Sequence, residues 1–158
     1  MFEYRVTKYD PARRDPDGRY LLDEWTAFSD VGGKVDLAEY EQVERCYIDV
    51  ALAFLSEAGI STLSVANLEN PQQVALPFVV GAQLQAAELR TAFQLVLREV
   101  CWCRFLHPNG AFVHFGYDYY IYVATPHECL EAKRLATTGN LFVEPFHSPY
   151  KDLKTDDA

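Results

Sequence analysis

The chain has 158 residues, of which 49% are hydrophobic and 23% charged, a composition typical of one folded domain and unlike that of a disordered chain. Its formal net charge is −9 at pH 7, and a surface this acidic repels nucleic acid and anionic membranes. No apolar run approaches the roughly 20 residues of a membrane-spanning helix. We therefore expect a domain that binds neither nucleic acid nor a membrane.

The N-terminus and the cysteines indicate a compartment. Residues 1–5 read directly as the start of a strand, with no signal peptide before them. The four cysteines are then expected to be reduced thiols, as is usual in a cytosol. We predict a cytoplasmic protein.

The first part of the chain predicts two strands. In residues 2–9 apolar and polar side chains alternate, which is the pattern of a half-buried strand. Asp10-Pro11 ends this strand, and the polar residues that follow form a loop. Residues 21–31, which precede two glycines, predict a second strand.

The first helix is predicted to begin after Asp36, an N-cap residue with Glu39 three positions on, and to end at Gly59. Apolar side chains at three- and four-residue spacing define its buried face: Tyr40, Val43, Tyr47, Val50, Ala51, Phe54 and Ala58. The exposed face is predicted to carry Glu41, Glu44, Arg45, Asp49 and Glu57.

The centre of the chain predicts a strand, a second helix and a hairpin. The strand covers residues 61–68 and the helix residues 85–100. The hairpin joins residues 101–106 to residues 111–123, because Asn109-Gly110 is a strong turn signal between two strand-like runs. The return strand alternates without a slip, which favours one continuous strand; a break at Gly116-Tyr117-Asp118, giving two strands, is the alternative.

A third helix is predicted to open at Thr125-Pro126 and to end near Thr138, followed by a strand over residues 141–144. The predicted order is β-β-α-β-α-β-β-α-β. Hairpin connections favour an α+β fold, with a largely antiparallel sheet and about three helices packed on one face. Residues 1–147 are predicted to form this single domain, and residues 148–158 a flexible C-terminal tail.

Metal-binding and catalytic motifs are weak. Cys101, Cys103, His127 and Cys129 have side chains that zinc prefers, but the gaps between them differ from those of common zinc sites. No serine lies in a glycine-flanked nucleophile elbow. We predict no metal, no cofactor and no catalytic residue, and we favour a protein without enzymatic activity.

One face of the long predicted strand is a candidate site, because it carries His114, Asp118, Tyr120 and Tyr122. On a continuous strand His114 and Asp118 would be about 13 Å apart, too far for a catalytic pair. The protein's own helices could cover this face. If the helices cover the odd-numbered face instead, the tyrosines meet solvent, a second copy or a partner, and exposed tyrosines commonly anchor interfaces.

The negative charge is concentrated in residues 15–57, which hold eleven acidic and three basic residues. One interpretation is a charged face that keeps the protein soluble. The other is a docking surface that steers a basic partner by electrostatic attraction, with Glu41, Glu44, Asp49 and Glu57 of the helix as its main contributors. His114, Asp118, Tyr120 and Tyr122 would complete the contact surface.

In its small size, acidity, lack of catalytic motifs and aromatic-rich sheet, the chain resembles bacterial immunity proteins, which block a cognate toxin. The resemblance implies a non-enzymatic protein-binding module whose partner is a basic protein such as a toxin. It rests on composition and layout, so it assigns no role to any single residue. Two alternatives stay open: a small enzyme or ligand-binding protein with a cleft near residues 112–122, and a homodimeric assembly subunit.

Overall fold

A seven-stranded antiparallel sheet with three α-helices forms the protein, and the computed structural model describes residues 1–156 of the chain. The strands are β1 (Phe2–Thr7), β2 (Leu63–Glu69), β3 (Gln83–Leu84), β4 (Trp102–Leu106), β5 (Phe112–Phe115), β6 (Ile121–Thr125) and β7 (Phe142–Pro145). The helices are α1 (Leu37–Glu57), α2 (Ala86–Leu97) and α3 (Leu130–Thr138). The predicted α+β class and the largely antiparallel sheet are confirmed.

The strands lie in the order β3-β2-β4-β5-β6-β1-β7, so the N-terminal strand β1 sits between β6 and β7. Strands β4, β5 and β6 are consecutive neighbours, and every pairing in the sheet is antiparallel. No helix in residues 1–156 is long and apolar enough to cross a membrane.

Helix α1 forms where its apolar stripe and its N-cap predicted it. The Asp36 carboxylate accepts a hydrogen bond from the backbone N–H of Glu39 at 2.8 Å, which satisfies one of the unpaired donors of the first turn. Tyr40, Tyr47 and Phe54 are fully buried. They share one continuous core with the odd-numbered residues of β5 and β6, so the helices cover the odd face of the sheet.

The prediction of one continuous strand over residues 111–123 is wrong, and its alternative is confirmed. The chain turns over residues 116–120, and β5 and β6 pair with each other as a hairpin. The register aligns His114 with Tyr122 and Phe112 with Ala124, so even-numbered residues stay on one face on both sides of the turn. The unbroken alternation in the sequence is therefore compatible with two strands.

Two further predictions of secondary structure are wrong. Residues 21–31 form no strand, because the Asp30 carboxylate accepts the backbone N–H groups of Thr26 and Ala27 and folds the segment into a short turn. The third helix begins at Leu130, since Thr125 still belongs to β6, where it pairs with Phe2 of β1.

The even-numbered face of the sheet is covered by the C-terminal segment, residues 146–156. Phe112, Tyr122 and Ala124 form a small second cluster, against which Tyr150 of this segment packs. The buried Arg104 of β4 holds the segment by donating hydrogen bonds to the backbone oxygens of Tyr150 and Leu153, at 3.0 and 2.9 Å. These contacts place the segment; the predicted flexibility of residues 148–158 stays a prediction, and residues 157–158 lie outside the described chain.

Candidate functional site

The carboxylate of Glu44 is not available to a partner, and the prediction that it lies on the exposed face of α1 is wrong. Only 3% of the residue is exposed. Its two oxygens accept hydrogen bonds from Nε and Nη2 of Arg98, both at 2.9 Å, and one accepts a third from Nε2 of Gln94 at 3.0 Å. A bidentate, charge-assisted pair of this kind ties α1 to the end of α2.

Two other carboxylates of the predicted docking face also act within the fold. Asp49 forms an ion pair with Arg90 of α2. Glu57 accepts hydrogen bonds from the backbone N–H groups of Glu131 and Ala132, at 3.1 and 2.9 Å, and so caps α3 from the end of α1. Of the four predicted α1 carboxylates, only that of Glu41 makes no hydrogen bond or ion pair within the described chain.

The same holds for much of segment 15–57. At least seven of its eleven carboxylates accept hydrogen bonds from backbone or side-chain donors in the fold: those of Asp15, Asp23, Asp30, Asp36, Glu44, Asp49 and Glu57. A dense run of acidic residues in the sequence therefore leaves few free carboxylates in the structure.

His114 is buried, with 1% of the residue exposed. Its ring stacks on Phe112 at a centroid distance of 3.8 Å, and its Nδ1 lies 2.7 Å from Oγ of Ser148. Ser148 Oγ also accepts the backbone N–H of Tyr150, so it links the imidazole to the C-terminal segment. Burial, reinforced by the nearby Arg104 guanidinium, lowers the pKa of His114 from 6.5 to about 3. This imidazole is neutral and serves to hold the C-terminal segment.

The tyrosines predicted as anchors are largely covered. Tyr122 is buried beneath Tyr150 and Phe146 of the C-terminal segment. Tyr120 is half-buried, and its hydroxyl accepts a hydrogen bond from Nη2 of Arg14 at 2.8 Å. Neither ring can meet a partner as a free aromatic surface while these groups stay in place.

Asp118 lies on the turn between β5 and β6, and the turn does not bring it to His114. Its side chain is exposed, whereas the imidazole is buried under the C-terminal segment. The structure shows no hydrogen bond between the two residues. Asp118 instead lines a cleft at the end of the sheet, together with its neighbour Tyr117.

This cleft, which we call the terminal cleft, has a volume of about 680 Å³. Five parts of the chain line it: residues 26–27, the end of β2, the stretch from the end of α2 to β4, the turn between β5 and β6, and the C-terminal segment. The residues that give it its chemical character are Glu69, Glu99, Trp102, Tyr117, Asp118 and Tyr150.

The backbone of the turn fixes the direction in which Tyr117 points. Asp118 and Tyr119 both adopt left-handed conformations, with φ of 59° and 66°, which cost energy for residues other than glycine. Two hydrogen bonds hold the turn. The Tyr9 hydroxyl donates to the backbone oxygen of Asp118 at 2.8 Å, and the Tyr119 hydroxyl donates to the Tyr40 hydroxyl at 2.9 Å.

Tyr117 is consequently presented to solvent at the rim of the terminal cleft, with 83% of the residue exposed. Glu99, elsewhere on the rim, also has a positive φ, of 59°, but this is the usual left-handed ending of a helix, here α2. In the β5–β6 turn the surrounding structure imposes the left-handed residues, as is common at binding and catalytic sites. The rim is therefore a shaped feature of the fold.

The terminal cleft is acidic. Glu69, Glu99 and Asp118 line it, whereas none of its lining residues is Lys, Arg or His. None of these three carboxylates accepts a hydrogen bond or forms an ion pair within residues 1–156. They come from the end of β2, the α2–β4 connection and the β5–β6 turn, so the fold gathers them from distant parts of the sequence.

The thiols near this region are unreactive by burial. Cys101 lines the terminal cleft, but burial raises the pKa of its thiol to about 11, and burial raises the pKa of Cys103 still further. Cys129 is buried against the backbone oxygen of Phe54. In the described part of the chain no group of three or more His, Cys, Asp or Glu side chains is placed to hold a metal ion.

No protein-family model matches this chain, and neither a curated protein nor a solved structure does. The terminal cleft must therefore be interpreted from its own residues. Sequence reasoning singled out Asp118 among them but missed Glu69, Glu99 and Tyr117. The alternative break at Gly116-Tyr117-Asp118 was the signal that could have found the exposed tyrosine, because a turn releases its residues from the alternation of a strand.

Proposed function

We propose that this chain is a non-enzymatic protein-binding module that takes a basic protein partner at the terminal cleft, in the manner of an immunity protein that neutralises a toxin. One observation carries the proposal: Tyr117 stands 83% exposed on a hydrogen-bonded turn and lines the same cleft as three carboxylates that have no partner in the described chain. An exposed aromatic anchor next to unpaired negative charge suits a positively charged protein surface.

The shape of the rim supports this interpretation. The left-handed turn positions the backbone at Tyr117 before a partner arrives, so binding has to order only the side chain. An aromatic anchor of this kind typically contributes ~2 kcal/mol or more to an interface. The carboxylates contribute mainly by attracting the partner, which raises the association rate at low salt.

The chemistry of the titratable groups also favours binding over catalysis. The Cys101 thiol at the cleft is held protonated by its raised pKa, and the His114 imidazole is buried with a pKa of about 3. A general base works best when its pKa lies near the working pH and when it reaches the substrate. Neither group meets both conditions.

A second candidate is a small-ligand site at the same cleft. The volume of about 680 Å³ lies within the range of ligand pockets, and Phe115 at the end of β5 and Tyr119 of the β5–β6 turn line it. This candidate predicts that a compound occupies the cleft without any protein partner. Binding of a protein partner through Tyr117, with no small molecule bound in the cleft, would decide against this candidate.

The partner can be sought among the products of neighbouring genes and by purification with the tagged protein from its native host. Binding is then measured by surface plasmon resonance with the wild type, Tyr117→Ala and Leu21→Ala. Leu21 is the matched control, since it is also an exposed apolar residue, 62% exposed, and does not line the cleft.

We expect Tyr117→Ala to raise the dissociation rate about 30-fold, which corresponds to ~2 kcal/mol, while Leu21→Ala leaves it unchanged. Equal dissociation rates for all three proteins would mean that the partner binds elsewhere. A two-fold symmetric dimer that buries Tyr117 in the absence of a partner would favour the homodimeric alternative.

A further inference from the structure

We infer that the terminal cleft receives an arginine side chain of the partner, with its guanidinium group against Trp102 and among the cleft carboxylates. This inference rests on the proposed function and names the chemical group that the site recognises. The aromatic walls of the cleft, its unpaired carboxylates and the surroundings of Arg98 and Arg5 support it.

Trp102 provides a fixed aromatic wall. Its indole Nε1–H donates a hydrogen bond to the backbone oxygen of Phe115 at 2.8 Å, which sets the orientation of the ring. Tyr150 packs against it at a centroid distance of 5.4 Å, and Arg104 holds the backbone of Tyr150 in turn. Trp102 is half-buried and lines the cleft, as Tyr150 and Tyr117 do. Tryptophan is the aromatic side chain that attracts cations most strongly.

The charge of the cleft is complementary to a cation. Glu69, Glu99 and Asp118 are three carboxylates without a basic residue among the lining side chains. Carboxylates of one sign along a cleft with apolar walls make the local potential negative. A cation is attracted to this potential, and a carboxylate can accept two parallel hydrogen bonds from one guanidinium group.

Elsewhere in the protein, cations also lie between a carboxylate and an aromatic ring, as Lys133 does between Glu128 and Tyr4. The guanidinium group of Arg98 pairs with Glu44 and lies 4.9 Å from the ring centroid of Phe28. A second guanidinium group, that of Arg5, pairs with Glu144 at 3.0 Å and lies 4.0 Å from the ring centroid of Phe146. Each of these two arginine sites combines a carboxylate with an aromatic ring, so the arrangement accepts a guanidinium group as well as the ammonium group of Lys133.

The terminal cleft offers the same two components, carboxylate and aromatic ring, with no arginine of its own among its lining residues. A guanidinium group fits better than an ammonium group, because it is planar, is weakly hydrated and stacks on aromatic faces. The cleft volume of about 680 Å³ accommodates this side chain with its flanking backbone. The occupant is therefore an arginine that projects from a basic protein surface.

The test uses N-acetyl-arginine-N-methylamide as the probe and its citrulline counterpart as the control, since citrulline has nearly the same shape and no charge. Binding is followed by NMR from the indole N–H resonance of Trp102, which the variant Trp102→Phe assigns. We expect the arginine probe to shift this resonance in a saturable way, and the citrulline probe to bind at least 10-fold more weakly.

Two triple variants complete the test. The cleft variant carries Glu69→Gln, Glu99→Gln and Asp118→Asn, and its matched control carries Asp17→Asn, Glu39→Gln and Glu41→Gln, whose carboxylates make no hydrogen bond or ion pair in the described chain. The cleft variant is expected to bind the arginine probe at least 10-fold more weakly than the wild type. The control variant is expected to bind it as the wild type does.

The inference is overturned if the two probes bind equally, if neither shifts the Trp102 resonance, or if both triple variants bind the arginine probe alike. Its failure is distinct from a failure of the proposed function. If a partner binds the wild type and the cleft triple variant equally but no longer binds Tyr117→Ala, the arginine site is refuted and the proposed function stands. A cleft that binds the arginine probe while Tyr117→Ala and the cleft triple variant bind the partner normally would refute the proposed function.

Discussion

Negative charge is arranged in two different ways in segment 15–57 and in the terminal cleft. The segment is dense in acidic residues, yet at least seven of its eleven carboxylates accept hydrogen bonds or form ion pairs within the fold. The cleft gathers only three carboxylates, from residues 69, 99 and 118, and none of them has a partner in residues 1–156. Charge that is available to a partner thus depends on how the chain folds, and density along the sequence does not reveal it.

The largest effect that tests this contrast is on stability, at Glu44. We expect Glu44→Ala to lower the free energy of unfolding by ~2–3 kcal/mol, because it removes a buried carboxylate and leaves the Arg98 guanidinium without its partner. The matched variant Glu41→Ala, one turn earlier on α1, should change stability by less than about 0.5 kcal/mol. Urea unfolding monitored by circular dichroism measures both. Equal, small losses would mean that Glu44 is as free as a surface carboxylate.

A second effect concerns pH and the outer face of the sheet. The pKa of His114 is lowered from 6.5 to about 3 in the folded protein, so the unfolded chain binds more protons between these values and stability falls as the pH falls through this window. From pH 7 to pH 5 the loss due to this group is roughly 2 kcal/mol.

The variant His114→Asn keeps a polar group that can hydrogen-bond to Ser148, as donor or acceptor, and removes the titration. We expect its unfolding free energy to fall less than that of the wild type between pH 7 and pH 5, by the same roughly 2 kcal/mol. Urea unfolding at the two pH values gives the difference. If both proteins lose stability in parallel, His114 is accessible to protons in the folded state and the C-terminal segment does not cover it.

A third effect tests whether the hydrogen bonds that the Glu57 carboxylate accepts stabilise the fold. Glu57→Ala should lower the free energy of unfolding by ~1 kcal/mol, since two backbone N–H groups at the start of α3 lose their acceptor. The exposed neighbour Ser56 provides the control, and Ser56→Ala should have an effect below about 0.5 kcal/mol. Indistinguishable melting temperatures for the two variants would show that the cap contributes nothing in solution.

The smallest effect is expected at the terminal cleft itself. The triple variant Glu69→Gln, Glu99→Gln, Asp118→Asn should stay within about 0.5 kcal/mol of the wild type, because these exposed carboxylates make no hydrogen bond or ion pair in the described chain. Urea unfolding at low and high salt measures the change. A substantial loss of stability would place the three residues among the carboxylates that the fold needs.

Local patterns in the sequence predicted much of the fold. The apolar stripe through Tyr40, Tyr47 and Phe54, with Asp36 as its cap, correctly located α1, since both signals lie within the helix itself. The β5–β6 hairpin was harder, because its register pairs His114 with Tyr122 and keeps the alternation of faces across the turn. Only Gly116 and the two residues after it marked the break.

The site depended on contacts that no local pattern contains. Glu44 occupies a position off the apolar stripe of α1, and it is buried because Arg98, 54 residues later, meets it. Glu57 caps a helix that begins 73 residues further on, at Leu130. The terminal cleft assembles carboxylates from three segments that are distant in sequence, so its charge could not be recognised before the fold was known.

The most direct test of the account is the association rate of the partner with two proteins that carry equal charge. One is the cleft triple variant; the other carries Asp17→Asn, Glu39→Gln and Glu41→Gln in segment 15–57. Stopped-flow association across a range of salt concentrations separates them, because the loss of steering charge slows binding and flattens its salt dependence. We predict that the cleft variant associates more slowly with a flatter salt dependence, whereas the segment variant behaves as the wild type. The opposite result, a slow segment variant and an unchanged cleft variant, would contradict the assignment of the binding surface to the terminal cleft.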